Sequence, residues 1–133
     1  MEPLPRLTKN RRLILETLKV SSSPRNAMDL YQELHNQINL ATVYRGLLHL
    51  EEVGYISGVT IACKEEGTVR YFFLPKNPHE HFFHCEACHR FIPVHGCALD
   101  SMVQEVEQGG HKVQSHFLYF TGICSNCQKG ITP

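Results

Sequence analysis

Two pairs of cysteines, Cys85-x2-Cys88 and Cys124-x2-Cys127, stand 35 residues apart and constrain this chain more than any other feature. A turn with two thiols at this spacing presents both sulfurs on one side, and two such turns can close a tetrahedral site around one Zn²⁺. Disulfides or free thiols are the alternatives, and the compartment decides between them. The opening residues Met1 to Pro5 are short and polar with no apolar core of a signal peptide behind them. No apolar run approaches the length a bilayer needs, so the expectation is a cytoplasmic chain with no membrane span. In a reducing cytoplasm the four cysteines read as a structural zinc site. Four thiolates leave no open position, so that site is a scaffold and not a catalyst.

The chain of 133 residues, 42% apolar, suffices for one ordinary domain or two small ones. Its net charge of zero hides a slope: residues 1–50 carry seven Lys/Arg against four Asp/Glu, and residues 51–133 six against nine. A mildly basic front half is compatible with phosphate contacts.

Periodicity divides the chain. Thr8 can cap a helix to about Lys19, with Leu7, Ile14, Leu15 and Leu18 on one stripe and Arg11 and Arg12 on the exposed side. Ser21-Ser22-Ser23-Pro24 breaks it. Asn26 caps a second helix, with Asp29 at the third position and Ala27, Leu30, Tyr31, Leu34 and Ile38 at helical spacing. A third runs from about Leu40 to Val53 on Leu40, Val43, Leu47 and Leu50, with Gly54 as its stop. The period then becomes two: Val59, Ile61 and Cys63, a turn at 64–67, then Val69, Tyr71 and Phe73. Three helices and a hairpin predict a winged helix-turn-helix whose third helix enters the major groove. Ala41, Thr42, Tyr44 and Arg45 open that helix with groups suited to phosphates and base edges.

Pro75-Lys76-Asn77-Pro78 reads as a stiff connector, placing a winged DNA-binding domain at 1–75 and a dimerisation and metal-binding domain at 76–133. In the second half, Phe82 to Val94 predicts two short strands, Leu99 to Gln108 a helix stopped by Gly109-Gly110, and Lys112 to Thr121 a longer strand. This small α/β unit has too little core to stand alone, so a homodimer is expected; the overall class is α+β.

Nine histidines are present, five of them between His79 and His95. His79 and His81, two apart on an extended segment, project from one face. With Asp100 and His116 they form a three-imidazole, one-carboxylate set that suits Zn²⁺, and with further oxygen ligands Fe²⁺, Mn²⁺ or Ni²⁺. His84, His89, His95, Cys97 and Cys63 stay open: His84 and His89 as outer donors around the zinc cysteines, Cys97 as a small buried group or a ligand near the helix start.

The series Leu7-Thr8 leading to Arg11, Asp29-Leu30-Tyr31, Ala41-Thr42-Val43-Tyr44-Arg45 with Leu50 and Gly54, Arg70-Tyr71, and the His-rich segment running into Cys-x2-Cys resembles the ferric uptake regulator family over nearly the whole chain. The resemblance implies a homodimeric repressor of metal-uptake or metal-homeostasis genes. It would hold a palindromic double-stranded DNA operator when loaded with a regulatory divalent metal, Zn²⁺ or Fe²⁺, beside its structural Zn²⁺. It implies that Tyr44 and Arg45 contact DNA and that Arg11 supports backbone contacts.

Counted back from Cys85 without a gap, His79, His81, Asp100 and His116 match the family's site within the dimerisation domain. The family's inter-domain site is eroded, with Pro24, Phe72 or Phe73, and Pro93 at its positions. A one-residue insertion at His84 would move His79 and His81 to that eroded site; the ungapped register accounts for four residues and is preferred. Peroxide-sensing members carry Asp where this chain has Pro93, which disfavours peroxide sensing. Zinc-sensing members often carry a cysteine on the wing's second strand; here Cys63 lies on the first. Iron and zinc both remain open.

A metal held at His79 and His81, just past the connector, would set the spacing of two recognition helices, a population shift towards the DNA-binding arrangement. Two rivals are a zinc-ribbon module for protein or RNA, which leaves Tyr44 and Arg45 idle, and a metallohydrolase. The latter lacks a base aimed at the metal, since Glu80 points away from its histidine neighbours on an extended segment.

Overall fold

Thr8 starts the first helix by satisfying a backbone donor that the helix itself leaves open: its hydroxyl accepts from the Arg11 N–H at 3.3 Å, and α1 spans Lys9–Lys19. The computed structural model describes residues 6–63, 67–75 and 81–130. The chain divides into two compact units, Met1–Pro75 and Lys76–Pro133.

In the first unit, Asn26 and Asp29 form the reciprocal cap their spacing predicts: Asn26 Oδ1 accepts from the Asp29 N–H at 2.8 Å, and Asp29 Oδ2 from the Asn26 N–H at 3.1 Å. The helix behind it, α2 (Ala27–Leu34), buries Ala27, Leu30 and Leu34; Ile38 is buried after the helix has ended. Next, α3 (Leu40–Glu52) starts on Asn39, whose side chain accepts from the Thr42 N–H, and turns off at Gly54 with φ +89°. Val43, Leu47 and Leu50 are fully buried against Ile14 and Leu30. Each such side chain contributes about 1.5–3 kcal/mol by leaving water. Gly46 belongs to this face because a Cβ there would lie 2.5 Å from Ile14 Cδ1, so the close approach of α1 to α3 requires a residue without one.

The wing is β2 (Ser57–Cys63) antiparallel to β3 (Gly67–Phe73), with Val59 opposite Tyr71 and Ile61 opposite Val69. A two-residue strand, β1 (Arg25–Asn26), pairs with the other edge of β3, giving the order β1-β3-β2. Arg70 latches the wing to α3: its guanidinium donates to both Glu51 carboxylate oxygens and, at 2.8 Å, to Thr60 Oγ1. Gly58 leaves the room, since a Cβ there would lie 2.8 Å from Arg70 Nε.

In the second unit, β4 (His81–Cys85) lies between β5 (Phe91–Val94), antiparallel, and β6 (Tyr119–Gly122), parallel. Pro93 sits on β5, an edge strand, where its missing N–H costs least. The strand predicted over Lys112 to Thr121 is corrected to these four residues, because β4 offers only Phe82 to Cys85 as partners and a strand without a ladder is not held. The helix α4 (Asp100–Gln108) buries no side chain, and its apolar stripe is open, Met102 at 62% exposure. A four-residue turn of helix, α5 (Ser125–Gln128), carries the last cysteine. No helix among the described residues is long and apolar enough to cross a membrane.

Candidate metal centres and nucleic-acid face

The parallel pairing of β4 with β6 sets Cys85 opposite Gly122, which brings the second cysteine turn beside the first. All four sulfurs, from Cys85, Cys88, Cys124 and Cys127, lie within 4.8 Å of one another. Cys88 Sγ and Cys124 Sγ are 3.8 Å apart. A tetrahedron with Zn–S bonds of about 2.3 Å has S···S edges of ~3.8 Å, whereas a disulfide needs ~2.05 Å. The cluster therefore fits zinc, and none of the five described free cysteines is oxidised to a disulfide.

The backbone around the cluster is shaped for thiolates. Cys85 Sγ accepts from the N–H of Cys124 at 3.3 Å and of Cys88 at 3.5 Å. Burial pushes the Cys85 thiol up, but these N–H groups and that of Ala87 outweigh it and hold the thiol down at about 6. Cys124 is lowered, chiefly by the Cys127 N–H. Burial raises Cys88, and burial together with the neighbouring sulfurs pushes Cys127 up to about 12. Sulfurs this close do not all ionise until a divalent cation compensates them. His89 follows the first turn at φ +63°, a left-handed conformation that histidine enters more readily than most residues. His84 is buried with its ring against Phe91 (4.8 Å between centroids) and His89 (5.4 Å), and burial followed by the His89 charge lowers its basicity.

A second group forms from three separate segments. His81 at the start of β4, Cys97 in the loop before α4 and His116 ahead of β6 place their ligand atoms within 4.8 Å of one another. His116 Nε2 lies 3.3 Å from His81 Nε2 and 3.4 Å from Cys97 Sγ. His81 Nδ1 is 3.0 Å from the Leu118 carbonyl. Of the four residues expected here, His81 and His116 come together and His79 lies outside the described residues. Asp100 sits exposed on the first turn of α4 and does not join the group. Cys97, three residues earlier, is the third member of the group. The sequence left Cys97 open, and the signal that marks it is a thiol immediately ahead of a helix whose first turn was expected to hold a ligand. His95 is exposed.

On the first unit, Tyr44 is 49% exposed, Ala41 and Arg45 are exposed, and Thr42 is half-buried. Alternating with the buried Val43, Gly46 and Leu47, they form the outward side of the opening of α3. Arg12 is exposed on α1, and Arg11 is half-buried with Cγ towards Gly46 of α3.

A trihelical core with a latched β-wing, followed by a unit closed by four cysteines, defines a winged-helix metalloprotein. The model of the ferric uptake regulator family matches residues 5–121. The chain is 31% identical over 128 residues to the peroxide operon regulator of Bacillus subtilis (strain 168), covering 93% of this chain and 85% of that protein. It is 30% identical over 125 residues to the ferric uptake regulation protein of Yersinia pestis, covering 86% and 82%. The crystal structure of the Vibrio cholerae ferric uptake regulator superposes with a TM-score of 0.75 at 27% identity, over 90% of this chain and 92% of that one. The chain belongs to the ferric uptake regulator family.

Proposed function

We infer that the chain is a homodimeric, metal-switched DNA-binding repressor that controls genes of metal uptake or homeostasis from the cytoplasm, as a transcription factor and not an enzyme. The observation that carries the reading is the opening of α3, where Tyr44 and Arg45 stand out opposite a fully buried face at the position that enters the major groove in winged-helix readers. Arg45 suits a guanine edge, Tyr44 and Thr42 suit phosphate or a thymine methyl, and Arg11 steadies the backbone contact. The uncovered apolar stripe of α4 fits a second copy of the chain, and two copies fit a palindromic operator.

The structural Zn²⁺ would be held by Cys85, Cys88, Cys124 and Cys127 and would supply no reactivity, only closure of the unit. The regulatory ion would bind around His81 and His116, with His79 a further donor and Asp100 the family's acidic one. His81 stands close in sequence to the boundary at Pro75, so an ion held there is placed to bias how two recognition helices are spaced. Likeness to a peroxide operon regulator does not extend to the chemistry expected of one, since Pro93 has no side-chain oxygen to offer a metal.

The test is operator-type DNA binding at one fixed salt concentration, with metal content assayed, before and after chelation mild enough to leave one zinc per chain. Binding lost on chelation and restored by one metal is expected. Equal binding by both forms would refute the switch.

A further inference from the structure

We propose that the regulatory site is a nitrogen–sulfur site of His81, Cys97 and His116 whose metal is Zn²⁺, with the Cys97 thiolate replacing the carboxylate of Asp100 as the third protein donor. The inference rests on the metal-switch reading above and deepens it by naming the ligand set and the metal.

Geometry carries the first part. With Zn–N bonds of about 2.05 Å and a Zn–S bond of about 2.3 Å, tetrahedral angles give edges of ~3.3 Å for N···N and ~3.6 Å for N···S. The observed edges are 3.3 Å between His116 Nε2 and His81 Nε2, and 3.4 Å between His116 Nε2 and Cys97 Sγ. The same bond lengths at octahedral right angles would give an N···N edge of only ~2.9 Å. The two edges that meet at His116 Nε2 are thus nearer to tetrahedral than to octahedral spacing, and all three donor atoms lie within 4.8 Å of one another.

Proton bookkeeping carries the second. The Leu118 carbonyl can only accept, so the 3.0 Å contact puts the hydrogen of His81 on Nδ1 and leaves the Nε2 lone pair facing His116 and Cys97. A ring nitrogen tied to a backbone carbonyl is the usual outer support of a metal-binding imidazole. Zinc binding would take the Cys97 proton off to solvent and form the Zn–S bond in its place.

Donor softness carries the third. Two imidazoles and a thiolate favour zinc, while manganese and ferrous iron draw more on carboxylate and water oxygen. Asp100, the acidic residue nearest to Cys97 in sequence, stands exposed on α4 and outside the group. Among the described residues the group offers three protein donors, and His79 stands outside them as the candidate for a fourth.

The test uses full-length protein retaining one zinc in its four-cysteine site and titrates a second metal equivalent, first as Co²⁺. Wild type, Cys97→Ala, Cys97→Asp and Asp100→Asn are compared, each checked for retained zinc and circular dichroism. Wild type and Asp100→Asn should show a thiolate-to-cobalt charge-transfer band on the second equivalent, and both Cys97 variants should lack it. By competition with a chelator, Cys97→Ala should lose at least about 10–100-fold in Zn²⁺ affinity, the range already seen when only an outer support is removed. Cys97→Asp should move the preference towards Fe²⁺ and Mn²⁺. A second-equivalent spectrum and Zn²⁺ affinity unchanged in Cys97→Ala but abolished in Asp100→Asn would overturn the assignment, leaving the metal-switched repressor intact if operator binding still follows metal. A cobalt band dependent on Cys97 in a protein whose operator binding ignores metal would uphold the site and refute its regulatory role.

Discussion

Stripping zinc from the four-cysteine site should unfold the second unit and leave the first standing. Among the described residues, the buried apolar side chains of residues 76–133 are Cys85, Phe91 and Cys124, while all the others belong to the winged unit. Complete burial of a phenylalanine contributes about 1.5–3 kcal/mol, whereas a structural zinc ion contributes an apparent ~10–16 kcal/mol at neutral pH. Two of the three buried apolar residues are themselves ligands, so removing the ion also removes the reason they are buried. The assay is hydrogen exchange read segment by segment on reduced protein, with and without a strong chelator. In the metal-free protein the amides of β4 and β6 should exchange as in an unfolded chain, while those of α1 and α3 keep their protection. Protected β4 amides in the metal-free, reduced state would refute the reasoning. So would loss of α3 protection in the same step, because it would tie the two units into one cooperative fold.

Leu47→Ala should destabilise the winged unit by about 2–5 kcal/mol in urea denaturation without changing zinc content, since Leu47 is fully buried. Asn26→Ala removes one half of the α2 cap and should cost about 1 kcal/mol in the same assay. Arg45→Ala should weaken operator binding by about 1–3 kcal/mol at fixed salt, read by fluorescence anisotropy, while circular dichroism stays the same. Placing aspartate at Met102 and Val106 together should convert dimer to monomer in sedimentation velocity; a dimer that survives would show that α4 is not its interface.

Helices and hairpin were legible because each carries a local signal: Thr8, Asn26 and Gly54 act on their own neighbours, and the apolar period counts out the buried face. The missing pieces depend on partners distant in sequence. β1 is two residues long, shorter than any period, and exists because Tyr71 and Phe72 on β3 are there to pair with it. The extent of β6 is set by β4 and not by the apolar pattern of residues 112–121. At the metal site the four zinc cysteines were readable from spacing alone. Cys97 was not, because neither His81 nor His116 is near it in sequence and only the fold brings the three together. Asp100 illustrates the converse, a residue of the right type at a matching position whose carboxylate the fold leaves outside the group.

The parallel pairing of β4 and β6 also fixes an order of events during synthesis. The winged unit owns every strand and helix it needs by the time residue 75 is made, and it can fold while the rest is still being translated. The second unit has to wait: β4 pairs with a strand made more than thirty residues later, and its closing cysteines come later still. In that interval Cys85 and Cys88 form half a site, open to a foreign metal or an oxidant. A nascent chain thus completes its helical unit before it owns the four-cysteine site, and the cell's zinc supply governs that handover.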